Sequence, residues 1–232
     1  MNTGDQFLIY CIFVVLIFLL IVVFGIGISR SFFILRDKNY HKREKTLQSI
    51  LSMILNHPDK KKAGYSKLKK FLKSDNDHQV LVDLLTSIGY NLSGQYFERA
   101  KAIYDDFKLE EFSIKNLNST NWDKIVEAII ELSVLGSEKH TKNILPLLEH
   151  HNSNVRRQAK IAIVEIGKSK GLMQMEDKIG VMSSWTYISI LSILHRTPFK
   201  LGNKELEKLQ NSRNPSMRKL SSHLGRFSVI YQ

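Results

Sequence analysis

NILPLLEHHNSNVRRQAKIAIVEIG, residues 143–167, holds two amphipathic runs joined by a short polar turn. Ile144, Leu145, Leu147 and Leu148 give the first run an apolar face. Val155, Ala159, Ala162 and Ile166 recur at helical spacing in the second. The small side chains of Ala159 and Ala162 let a neighbouring helix approach closely. A hairpin of two such helices exposes an apolar face that it cannot cover alone. It needs a similar hairpin on each side.

Working outward, the pattern returns. Asn152-Ser-Asn-Val155-Arg156-Arg157 aligns without gaps, 62 residues later, with Asn214-Pro-Ser-Met217-Arg218-Lys219. Ser183-Ser-Trp185-Thr-Tyr187-Ile188 lies midway between them, and Thr120-Asn-Trp122-Asp-Lys-Ile125 lies half that interval earlier. These segments predict long helices starting near 121, 154, 184 and 216, about 31 residues apart. Shorter partner helices are expected over about 109–118, 141–150, 172–181 and 203–211. Upstream, apolar periodicity predicts helices over about 42–56, 65–73, 78–88 and 93–104. No stretch alternates with period 2, so no strand is expected.

The 143–167 unit resembles a HEAT repeat. The family's first helix has a Leu-rich face, often with a proline where this sequence has Pro146. Its second helix reads V-R-x-x-A-x-x-A-L-G-x-I, matched here by Val155, Arg156, Ala159, Ala162 and Ile166. In the family an Asp in the turn usually pairs with the Arg at the position of Arg156; this sequence has Asn152 and Asn154 there. The resemblance implies a right-handed α-solenoid of stacked antiparallel helix pairs that binds a protein partner along the face lined by second helices. It also implies scaffolding rather than catalysis, although some members of the family are enzymes. Bacterial membrane-anchored members accompany envelope polysaccharide synthesis or export machinery, and the same setting is an expectation here.

The N-terminal region reads differently. Residues 7–28 carry no charge and would span ~33 Å as a helix, enough for the ~30 Å hydrocarbon core of a bilayer. A transmembrane helix is expected there. The h-region is too long for a cleaved signal peptide, and no small-residue cleavage site follows. Arg30, Arg36, Lys38, Lys42, Arg43 and Lys45 follow the segment, whereas only Asp5 precedes it. The positive-inside rule therefore places residues 1–6 outside and the rest in the cytoplasm, as a single-pass protein of the inner (plasma) membrane.

The formal net charge of +12 is concentrated after that segment. Residues 30–73 hold 13 Lys/Arg against 3 Asp/Glu, a net of +10, and residues 74–232 hold 21 against 18, a net of +3. A basic stem beside a bilayer fits anionic lipid headgroups, with ~1 kcal/mol for each cation at the surface. Nucleic acid would call for a basic surface on the folded domain itself, and the small excess there argues against it. The expected organisation is therefore a stem and linker helix over 29–63, divergent pairs or a cap over 64–106, and HEAT-like repeats over 107–232.

The chain contains no P-loop, G-x-G-x-x-G, H-E-x-x-H or G-x-S-x-G. The one cysteine, Cys11, lies in the apolar segment, so neither an intramolecular disulfide nor a cysteine metal site is available. His150 and His151 are adjacent and would diverge by about 100° on a helix, which precludes shared chelation. No catalytic residue, cofactor or metal is expected. Arg156, Arg157, Lys160, Arg218 and Lys219 lie near second-helix starts, where they form either a partner-facing basic stripe or an ordinary solvated face. Trp122 and Trp185 also head second helices, where an indole either fills the core between repeats or anchors a partner. These seven residues are the candidate partner-binding set.

Overall fold

The computed structural model describes residues 22, 40–176, 178–196 and 201–228. Every element among them is helical, and none is a strand. The chain divides into two compact units, 1–72 and 73–232.

In the first unit, helix α1 occupies residues 40–56, a 3₁₀ turn spans Pro58–Lys60, and α2 runs Lys61–Phe71. Leu47, Leu51, Ile54 and Leu55 of α1 are buried, as is Leu68 of α2. The two helices meet at Gly64, where an added Cβ would lie 2.3 Å from Ile54 Cγ1. Only glycine permits that approach.

In the second unit the elements are α3 (Asp75–Asn91), α4 (Gln95–Asp106), α5 (Leu109–Leu117), α6 (Trp122–Val134), α7 (Thr141–Ile144), α8 (Ser153–Met175), α9 (Ser184–Arg196), α10 (Asn203–Gln210) and α11 (Pro215–Ser228). Two 3₁₀ turns, Glu138–His140 and Leu145–Glu149, bracket α7. Pro146 has no N–H to continue the α-helical ladder, which accounts for the 3₁₀ geometry after Ile144. Helix α3 opens with a capping box: the Ser74 hydroxyl accepts from the Asp77 amide, and the Asp77 carboxylate accepts from the Ser74 amide at 3.0 Å.

Helices α6, α8, α9 and α11 begin at 122, 153, 184 and 215, a constant interval of 31 residues. Their buried faces share that interval. Ala128, Ala159, Ile190 and Ser221 occupy one buried position, and Glu131, Ala162, Ile193 and Leu224 occupy another. Helix α8 packs against α6 on one side and α9 on the other, α9 touches α11, and α10 pairs with α11. One continuous core runs from Leu117 to Leu224. The all-helical fold is compatible with a helical-repeat solenoid.

Two expectations are corrected. The expected fold class included a transmembrane helix, and among the described residues no helix is long and apolar enough to cross a membrane. The described helices are amphipathic: α8, the longest, carries Arg156, Arg157, Lys160, Glu165, Lys168 and Lys170. Among the described residues the supported fold class is all-α, with no membrane-spanning helix. The expected segment, 7–28, falls outside the described residues except for Val22. The second correction concerns the bounds of the short helix expected over 172–181. Lys168, with φ 49° and ψ −122°, breaks α8 into two helical segments, and the second, short one ends at Met175. Beyond the kink the chain closes back on itself at Gly171, where a Cβ would lie 2.2 Å from the Ile163 carbonyl oxygen.

Candidate partner-binding surface

The turns that start α6, α8 and α11 are built alike. At α6, the Asn121 side-chain oxygen accepts from the Asp123 amide at 3.0 Å, and Ser119 Oγ accepts from the Asn121 amide at 3.1 Å. At α8, Asn152 accepts from Asn154 N at 2.8 Å, and His150 Nδ1 accepts from Asn152 N at 3.1 Å. At α11, Asn214 accepts from Ser216 N at 2.9 Å, and Ser212 Oγ accepts from Asn214 N at 3.1 Å. Each arrangement satisfies helix N-terminal N–H groups that would otherwise be orphaned.

These turns also engage two of the expected basic residues. Arg156 Nη1 donates to the carbonyls of His150 (2.7 Å) and His151 (2.8 Å). Arg218 Nη1, 62 residues on, donates to the Ser212 carbonyl at 2.7 Å. Where the resemblance implies an Asp–Arg pair, this chain offers the guanidinium backbone carbonyls of the turn itself. Arg156 and Arg218 thus fasten α8 and α11 to the turns that precede them.

The other five candidates lie on the second-helix surface. Arg157 is exposed and donates to the Asn154 side chain at 3.0 Å. Lys160 is half-buried, and burial, followed by the Arg156 charge, lowers its pKa. Lys219 is exposed, with Nζ 5.0 Å from the Tyr187 ring centroid. Trp122 is 40% exposed and Trp185 67% exposed, so neither indole fills the core. Val181, on the loop before α9, is 72% exposed and Ile188, one helical turn from Trp185, is 57% exposed; neither was among the candidate partner-binding residues. The positions 185 and 188 are one helical turn apart, which is the signal that could have found this pair.

The loop carrying Val181 is tied down. Asn214 Nδ2 donates to the carbonyls of Ile179 (2.8 Å) and Gly180 (3.2 Å), and the Met182 amide donates to Ser216 Oγ at 2.9 Å. The start of α11 therefore fixes the backbone on both sides of Val181.

A second feature was also unmarked in the sequence. Glu131, 2% exposed, accepts from Ser113 Oγ at 2.6 Å and from Gln79 Nε2 at 2.7 Å. The Tyr104 hydroxyl donates to Ser113 Oγ at 3.0 Å, and Asn116 Nδ2 donates to Gln79 Oε1 at 3.2 Å. Burial raises the Glu131 carboxyl above its ordinary range, only partly opposed by these two donors, while Asp83 and Glu127 push the same way as burial. Burial likewise raises the Tyr104 phenol. The network joins α3, α4, α5 and α6 and holds them in one register.

Among the described residues, no three of His, Cys, Asp and Glu converge as a metal site. The first unit carries a shallow groove of about 600 Å³ lined by Lys45, Lys67, Lys70 and Phe71. Lys42, Arg43 and Lys45 are exposed on α1, whereas Arg30, Arg36 and Lys38 lie outside the described residues. Compared with known proteins, the chain matches no family model and no curated protein.

Proposed function

We propose that this protein is a scaffold whose second unit, a HEAT-like solenoid, binds a protein partner on the surface formed by its second helices. The observation that carries the reading is the 31-residue interval between the starts of α6, α8, α9 and α11, with buried positions kept in step. Such an array repeats one surface position along the stack, so an extended partner meets equivalent contacts on successive helices. Exposed Trp122 and Trp185 supply bulky anchors of the kind that dominate interface energetics. Purification of the full-length protein with its partner, followed by reconstitution from the two purified components, tests this. A stable complex of defined stoichiometry is the expected result. Turnover of a small molecule by the chain alone, or preferential capture of an oligonucleotide, would contradict it.

A second contact is favoured by the groove of Lys45, Lys67 and Lys70 beside Phe71. Three ammonium groups around an aromatic floor suit an anionic lipid headgroup. Vesicles containing phosphatidylglycerol should retain the protein in a salt-sensitive manner, and a Lys45→Glu/Lys67→Glu/Lys70→Glu variant should bind them at least tenfold more weakly, by about 1.4 kcal/mol per factor of ten.

A further inference from the structure

Of the four second helices, α9 and α11 contain no Asp or Glu and α8 holds only Glu165, whereas α6 carries Asp123, Glu127 and Glu131. Arg157, Lys160 and Lys219 lie on α8 and α11. Exposed Val181, Trp185 and Ile188 stand on α9 and the loop before it, between these acid-poor helices. Arg157 lies one repeat before Ile188 and Lys219 one repeat after it, on the two helices that flank α9.

We propose that this patch is the docking point for an acidic protein segment, which seats one bulky apolar side chain among Val181, Trp185 and Ile188 and turns its carboxylates toward Arg157 and Lys219. The proposal rests on the scaffold reading and names its partner chemistry. Three observations carry it. Charge complementarity selects an anion-bearing partner and disfavours a second copy, which would bring cations against cations. The Val181 loop is pinned by Asn214 and Ser216, so little ordering cost remains to be met on binding. Ser184, Ser189 and Ser192 surround the apolar side chains on α9, giving the apolar centre and polar rim of a protein interface. Nucleic acid fits less well, because residues 74–232 carry a net charge of only +3.

The test uses the full chain in its own cells, with p-benzoylphenylalanine replacing Ile188 in one variant and Glu207 of α10 in another. Adducts are identified by mass spectrometry. At 188, the expected adduct is a protein segment rich in Asp and Glu around an aromatic or long aliphatic residue. Its yield should fall at least tenfold with Trp185→Ser and with Arg157→Glu/Lys219→Glu, while helical circular dichroism and melting remain those of the parent. Adducts at 188 with a neutral or basic segment, with lipid or with nucleic acid would overturn the proposal. Protein adducts at 207 but not at 188 would overturn it too, leaving the scaffold reading intact. No protein adduct at either site would overturn both.

Discussion

Helices α6 and α8 occupy successive places in the stack and fill one equivalent core position in opposite ways. In α8 the position holds Ala162, and α9 and α11 follow it with Ile193 and Leu224, all buried. In α6 it holds Glu131, equally buried. The difference lies in the neighbours. Against Glu131 stand Ser113 and Gln79, two donors from α5 and α3. Ala162 belongs to a core of aliphatic side chains. A repeat position is thus not intrinsically apolar. It takes a carboxylate where adjoining helices supply donors, and that carboxylate in turn specifies which helices adjoin.

The largest effect should come from moving the carboxylate to the other helix. Ala162→Glu would bury a charge without built donors, and should lower stability by more than ~3 kcal/mol, read as a reduced urea midpoint or as loss of folded protein. Removing the donor should cost less. Ser113→Ala deprives Glu131 and Tyr104 of a shared partner and should destabilise by about 1–3 kcal/mol. Next are the two turn asparagines. Asn152→Ala should cost ~1 kcal/mol, the usual value of an N-cap, and Asn214→Ala should cost more, because its amide also holds the 179–180 carbonyls.

The smallest effect at neutral pH, and the sharpest diagnostic, is Glu131→Gln. Burial raises the Glu131 pKa above its unfolded value, so between those two values the native state holds a proton that the unfolded chain has released. The contribution of this group is therefore most favourable below the unfolded value near 4.5 and declines as pH rises through the raised value. The variant should lose that decline, so its stability relative to the parent should improve as pH increases across the window. Paired urea titrations across pH would show it; parallel pH profiles for the two proteins would remove Glu131 from the account.

The stack was legible in the sequence because its signals are local. The recurring segments and their apolar spacing placed helix starts near 121, 154, 184 and 216, each within one residue of the observed 122, 153, 184 and 215. Non-local features were not legible. The Arg156 and Arg218 guanidinium groups reach carbonyls five or six residues back, a geometry that exists only once the turn has folded. The kink at Lys168 follows Gly167, but a glycine within a helical pattern does not by itself mark a break. At 74–77 the cap is Ser74, with Asp77 as its reciprocal partner. Glu131 did leave a trace, since helical spacing puts it on one face with Ala128 and Leu132, where a carboxylate requires buried donors.

The account depends most on α8, α9 and α11 following one another in line. Spin labels on cysteines introduced at Arg157, Ile188 and Lys219, with Cys11→Ser as background, measure that order directly. A linear stack predicts similar 157–188 and 188–219 distances and a 157–219 distance longer than either by about one helix spacing, ~10 Å. A 157–219 distance no longer than the other two would mean that the helices close into a bundle, and would contradict the solenoid.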